Sequence, residues 1–179
     1  MSKFLDNLSV QKVIKVLSDT AHSGQVIELE ATARTAEEAA SSLGVEVGAI
    51  VKTLIFKIKV KDRETPVVAL VSGDRRCNTK LLAGLAGIEG KCVRPDADEV
   101  KSITGYSIGG VSPAGLPSGL PILLDQYLNR FSTVWSAAGH PHCVFPASFV
   151  ELKSLTKAKV SDQLSESLVI ENSVRQKLL

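Results

Sequence analysis

The stretch Val51 to Val60, VKTLIFKIKV, constrains this chain more than any other. Its branched aliphatics, together with Leu54 and Phe56, define a β-strand. Strand side chains alternate between faces, so Lys52, Leu54, Phe56, Ile58 and Val60 share one row. All but Lys52 are strongly apolar, and the row is expected to face a core. Thr53, Ile55, Lys57 and Lys59 form the other row, expected to be mostly wet. Lys52 is then an ammonium at the head of a buried row, where a lysine needs an anion, a pocket or water. Two readings fit it: a functional lysine, or a strand-end lysine that snorkels to solvent.

Around this strand the chain alternates short elements. Ser2 to Asp19 has the spacing of an amphipathic helix, with Phe4, Leu8, Val13, Ile14 and Leu17 on its apolar face. Gln25 to Glu30 reads as a short strand. Thr35 with Glu38 three residues later is a capping box, which predicts a helix over Ala36–Leu43 stopped by Gly44. Val47 to Ala49 suits a single helical turn. Pro66 to Val71 returns as a second strand, giving an antiparallel hairpin with an expected loop of about five residues. A polar loop, Ser72 to Arg76, follows. Asn78 is placed to cap a helix through Leu85, Cys92–Val93 suits a short strand, and Asp96 or Asp98 is placed to cap a helix ending near Thr104. Ile122–Leu124, Thr133–Ala137 and His142–Phe145 read as strands, and Pro146–Leu155 as a last helix. A single domain is expected over residues 1–160, with a tail at 161–179 that the sequence does not assign to any element.

This order implies an α+β fold with a mixed, largely antiparallel sheet and flanking helices. The 179 residues are enough for one buried core. A net charge of +2, from 21 basic and 19 acidic residues, neither demands nor excludes nucleic acid. The three cysteines, none in a C-x-x-C pair, argue against a disulfide framework and for a reducing compartment. The N-terminus does not have the pattern of a signal peptide, and no apolar run approaches the ~18 residues of a membrane span. A soluble, cytoplasmic protein without membrane partners is expected.

Ser107 to Pro121, SIGGVSPAGLPSGLP, is too rich in glycine and proline for a regular element and is expected to be a long shaped loop. Its amides around Gly109, Gly110, Val111, Ser112 and Pro113 suit a carbonyl, carboxylate or phosphate. A rigid wrap over a sheet edge fits the same residues. Ser112 lacks the G-x-S-x-G elbow of a hydrolase nucleophile, and a hydrogen-bonding role suits it better. His140, His142 and Cys143 include two histidines at strand spacing, but no third ligand with a telling spacing, so no metal is assigned. Asp74, Arg75 and Arg76 form a charged loop suited to a phosphate backbone or simply to solvent.

Four segments in register resemble one family: RTAEEAA at Arg34–Ala40, IVKTLIF at Ile50–Phe56, GDRR at Gly73–Arg76 and GGVSPAG at Gly109–Gly115. Together they are similar to the YbaK/prolyl-tRNA-synthetase-associated editing domain, over about residues 10 to 160. The resemblance implies a partly barrel-like mixed sheet and a free-standing deacylase that hydrolyses the ester between a wrong amino acid and tRNA. It implies no cofactor, tRNA as partner and a synthetase as a further one. It puts a catalytic role on Lys52, a substrate-binding loop on Gly109 to Pro113 and a pocket position on His140, while the charged loop itself offers Arg75 and Arg76 as tRNA contacts. Thr53 stands where relatives that remove alanine from proline tRNA carry Asn, which leaves cysteine, serine or threonine esters open. The alternatives from the residues alone are a non-catalytic nucleic-acid-binding module and a metal- or serine-dependent small-ester hydrolase. The 4% aromatic content leaves the first with little for base stacking.

Overall fold

A computed structural model describes residues 2–168. The elements in chain order are α1 (Leu8–Asp19), β1 (Ile27–Glu28), α2 (Ala36–Leu43), a 3₁₀ turn (Val47–Ala49), β2 (Ile50–Val60), β3 (Arg63–Ser72), β4 (Arg75–Cys77) and α3 (Thr79–Leu85). They continue with β5 (Lys91–Val93), α4 (Ala97–Thr104), β6 (Ile122–Asp125), a 3₁₀ turn (Gln126–Arg130), β7 (Val134–Ala137), β8 (Cys143–Ala147), α5 (Phe149–Thr156), β9 (Lys159–Ser161) and β10 (Ser165–Ser167). The main sheet runs β1-β8-β7-β2-β3-β6-β9, with β5 also paired to β2, and β10 pairs separately with β4. β2–β3, β2–β5, β7–β8 and β1–β8 are antiparallel, whereas β2–β7, β3–β6 and β6–β9 are parallel. The architecture is the α+β one with a mixed sheet. No helix among the described residues is long and apolar enough to cross a membrane.

The β2–β3 hairpin is the spine, and it is buried on both faces. Leu54, Phe56 and Ile58 pack with Val67, Ala69 and Val71 against Leu82 of α3. The opposite row is not a wet face: Val51 and Ile55 sit with Val68 and Leu70 in the larger core, under Val13 and Leu17 of α1 and Leu152 of α5. Only the far end of that row matches the expectation. Lys57 there is held by the carboxylates of Glu64 and Glu99. Lys57 and Lys59 made the row look polar, but α1 and α5, distant in sequence, cover its other half. The hairpin loop is also shorter than expected, a two-residue turn at Lys61–Asp62 closed by the Val60–Arg63 pair, with Lys61 at φ 52°.

The caps explain where the helices begin. The Thr35 hydroxyl accepts from the Glu38 amide at 3.1 Å, Glu38 accepts from the Arg34 amide, and Gly44 ends α2 in the left-handed region at φ 66°. Asp96, not Asp98, caps α4, through a full capping box with Glu99. Ser148 caps α5 in the same way, so that helix starts at Phe149 while Pro146 belongs to β8. The first helix begins at Leu8 rather than Ser2, because Asn7 caps it. It buries Val10, Val13 and Leu17 and leaves Leu8 88% exposed. The preceding residues are a loop pinned to Glu28, whose carboxylate accepts from Ser2 Oγ and from the Lys3 and Phe4 amides.

Beyond Lys159, strands β9 and β10 occupy part of the expected tail, and 169–179 lies outside the described residues. From Gly105 to Pro121 no helix or strand forms, as the glycine and proline density requires. This loop is anchored by Tyr106, fully buried, whose hydroxyl donates to the Ala114 carbonyl at 2.7 Å. Removing that donor strands a buried carbonyl. Tyr106→Phe is therefore expected to lower unfolding free energy by about 1–2 kcal/mol in urea denaturation, with an unchanged m-value.

Candidate functional site

β2 is paired to β3 from Val51 to Val60 on one edge but only near its ends on the other. On that second edge Ile50 and Val51 pair with β7, and Lys57 to Lys59 pair with β5. No strand covers residues 52–56. The turn at Lys61–Asp62 fixes which backbone groups face the opening. The Val60–Arg63 pair closing a two-residue turn exchanges both hydrogen bonds, so the even residues of β2 point their backbone toward β3. The odd residues point the other way, which directs the amides and carbonyls of Thr53 and Ile55 into the gap.

A cavity of about 940 Å³ opens at this gap. Strand parity sorts its walls. On the even face stand Lys52 and Phe56, with Cys77 in the same core and Arg94 over the Phe56 ring, and Arg76 and Lys80 also line the cavity. On the odd face stand Thr53, Ile55, Val100 and Val111, at the margin of the larger core. One side of the cavity is therefore cationic and the other apolar. The start of α2 adds Arg34, Thr35 and Glu37, and the long loop adds Ile108 and Gly109.

Lys52 is half-buried, and its Nζ donates to the Arg75 carbonyl. That carbonyl sits on β4, held in a ladder with β10 through Arg75↔Ser167 and Cys77↔Ser165. Burial pulls the Lys52 pKa below the ordinary lysine value, and the negative charges of Glu37, Asp74 and Asp125 oppose that shift. The GDRR segment does several jobs. A Cβ at Gly73 would lie 2.1 Å from the Val47 carbonyl, so only glycine fits there. Asp74 binds Arg130 at 2.8 Å and accepts from Ser72 Oγ. The Arg75 side chain turns away from the cavity, donating to Ser165 Oγ and stacking over Tyr127 at 3.5 Å. Arg76 lines the cavity and lies 4.0 Å from Glu166.

The glycine loop contributes less surface than its sequence suggests. Gly109 and Val111 form cavity wall, but Gly110, Ser112 and Pro113 are buried behind it. Gly110 packs so closely on the next turn that a Cβ would lie 2.8 Å from the His140 amide nitrogen. Its own amide donates to the Ser107 carbonyl. The Ser112 hydroxyl is fully buried and accepts from the Ala114 amide, so it faces no substrate. His140 is not among the cavity walls either. Its ring stacks on Phe4 at 4.4 Å, and its Nδ1 accepts from the His142 amide. The His142 ring stacks on Phe4 too and meets the Leu29 carbonyl. Among the described residues, no three His, Cys, Asp or Glu side chains converge as a metal site.

Cys77, Lys80 and Arg94 are among the cavity residues to which the sequence reading gave no role. Cys77 follows GDRR directly, and the alternation of a strand at Arg75–Cys77 would have pointed its side chain inward. Arg94, over the Phe56 ring at 5.8 Å, carries no local signal, because only the long-range β2–β5 pairing brings it there. Burial pushes the Cys77 thiol up to about 12, which keeps it protonated and unsuited to nucleophilic attack.

The profile of the aminoacyl-tRNA editing domain family matches residues 30–155, and the chain belongs to that family. Its class is therefore that of aminoacyl-tRNA deacylases, hydrolases of the aminoacyl ester. A solved structure described as a candidate trans-editing enzyme for prolyl tRNA synthetase is 38% identical and superposes with a TM-score of 0.79, covering 90% of this chain and 99% of that one. YwhH of Bacillus subtilis (strain 168) is 29% identical over 86% of this chain and 94% of its own. EbsC of Enterococcus faecalis (strain ATCC 700802 / V583), named as a candidate Cys-tRNA(Pro)/Cys-tRNA(Cys) deacylase, is 34% identical over 59% of this chain and 62% of its own.

Holding Lys52 charged in this wall opposes stability. Its folded pKa lies below the unfolded one, so between the two the unfolded chain binds the proton more and stability rises with pH. Lys52→Met is expected to keep or raise the thermal midpoint at pH 7, and titration of the Lys52 Cε resonance should give a midpoint below 10.5.

Proposed function

We propose that this protein is a trans-editing hydrolase that clears a small amino acid, such as cysteine, serine, threonine or alanine, from a non-cognate tRNA. The observation that carries the reading is the cavity whose walls include both Lys52 and the loop residues Gly109 and Val111, at a gap in the sheet. The cationic even face suits the phosphates of the tRNA end, with Arg76 in its wall. The apolar odd face suits a short acyl side chain, and Val111 and Ile55 limit its length. Thr53, with its buried hydroxyl lacking a hydrogen-bond partner, favours a side chain with a polar tip, such as cysteine, serine or threonine.

The chemistry requires no covalent intermediate. A water oxygen adds to the ester carbonyl, the carbon–oxygen bond to the ribose breaks, and the released ribose hydroxyl takes up a proton. An aminoacyl ester is already activated, so positioning and charge stabilisation supply most of the acceleration. Lys52 stabilises the charge that develops on the carbonyl oxygen or the adjacent phosphate. Arg75 acts through its carbonyl, which orients the amine. Gly110, Ser112 and Pro113 shape the loop, and His140 braces it from behind through its backbone contact with Gly110. The similarity to a candidate editing enzyme for prolyl tRNA synthetase supports a working partnership with a synthetase in the cytoplasm.

A panel of mischarged tRNAs incubated with the purified protein tests the proposal by ester loss. Lys52→Ala is expected to slow the productive substrate by at least about 100-fold while the circular dichroism spectrum is kept. Binding of tRNA without ester loss from any member of the panel would instead mark a nucleic-acid-binding module.

A further inference from the structure

The ion cluster at the far margin of the gap lies where it can act on the cavity. At Lys57 the open edge of β2 regains a partner, Val93 of β5. After Val93 only Arg94 and Pro95, both in the cavity wall, precede the Asp96 cap of α4. The Lys57 side chain is 11% exposed, and its ammonium donates to Glu64 at 2.7 Å and to Glu99. Glu99 stands in the first turn of α4, and its second carboxylate oxygen accepts from the Asp96 amide at 2.8 Å. Val100 follows it, buried in the larger core with Ile55, and both line the cavity. β2 therefore holds the start of α4 at two points, by backbone pairing just ahead of it at Val93 and by charge at Glu99. Pairing a mostly buried ammonium adds little net stability, and its best-attested use is to keep two elements in one register.

We propose that the Lys57–Glu99 pair is a strut that sets the length of acyl side chain this protein accepts. This rests on the deacylase reading and deepens it. Ile55 is carried by β2 and Val100 by α4, so a tie between the two elements fixes the span between these walls. Lys57 and Glu99 touch no substrate and are positioning residues. With the strut cut, α4 recedes and a longer side chain fits between Ile55 and Val100. Glu64 holds the same ammonium from β3, inside the hairpin that is already paired from end to end, so it shares the charge contact without tying α4.

The test is the ratio of kcat/KM for two esters on one tRNA: the aminoacyl ester found productive, and the ester with one more methylene in its side chain. Lys57→Met and Glu99→Gln are each expected to lower the preference for the shorter ester by about 10-fold, the scale on which a pocket discriminates one methylene. Glutamine serves at the third position of a capping box, so Glu99→Gln cuts the strut and keeps the helix start. The double variant should lower the ratio no further than the larger single effect, because both changes cut one tie. Glu64→Gln should stay within about threefold of the unchanged protein. A variant that is merely less stable loses rate on both esters alike and leaves the ratio where it was. An unchanged ratio in Glu99→Gln, or an equal fall in Glu64→Gln, overturns the proposal. A second arm needs no turnover. Dissociation constants of two 3′-aminoacylamino-3′-deoxyadenosines, which resist hydrolysis and differ by that methylene, should show the same loss of preference in Glu99→Gln. Failure of every aminoacyl ester to turn over would sink the deacylase reading, and the two dissociation constants would then decide the strut by themselves. Analogues that do not bind at all overturn both.

Discussion

The interrupted ladder on β2 is the constraint on which the rest of the structure depends. A central strand deprived of a neighbour for five residues exposes backbone groups, and such an opening survives only if the surrounding structure holds it apart. Two features do so here. β7 leaves after Ser136 because the chain turns at Gly139, at φ 88°, where a Cβ would lie 2.6 Å from the Ser9 carbonyl of α1. β5 joins only from Lys57 onward, where Gly90, at φ 141°, passes close to the Lys59 carbonyl. Both glycines permit backbone approaches that a side chain would block.

The opening is stiff because the hairpin that carries it is clamped from both sides. Two separate apolar cores meet across β2 and β3, so a shift of the strand would disturb both. Below the cavity a polar lattice does similar work. The fully buried Asp125 accepts from the Ser72 and Tyr127 amides, and Ser72 Oγ donates to the Gly48 carbonyl. Arg130 bridges Ser72 and Asp74. The half-buried Lys52 opposes stability on this frame, and the frame tolerates it because its cores are elsewhere. This is the usual division between a scaffold that stabilises and a site that does not.

Local chemistry was well legible in the sequence. The Thr35 cap, the Gly44 stop, the strand at 50–60 and the irregular loop through Pro121 all follow from spacing and composition, and Lys52 is conspicuous because its charge breaks an apolar row. Legibility failed where distant segments decide the outcome. The odd row of β2 looked polar because its lysines are local, whereas the helices that bury Val51 and Ile55 are remote. The histidines at 140 and 142 suggested a pocket or a metal, but a phenylalanine from the N-terminal loop slots against both rings. The glycine loop showed its irregularity but not which of its residues face inward, since that depends on the turn at Gly139 and His140 packed behind it. Nor could spacing reveal the gap in the sheet, which is defined by where two other strands stop.

The carbonyl that receives Lys52 belongs to a short strand whose ladder partner is residues 165–167, downstream of the span matched by the family profile. The Lys52 amine is thus positioned partly by chain downstream of that matched span. Rewriting this C-terminal segment changes the lysine's orientation and acidity through the Arg75 carbonyl, and with it the part of the cavity wall that Glu166 supplies.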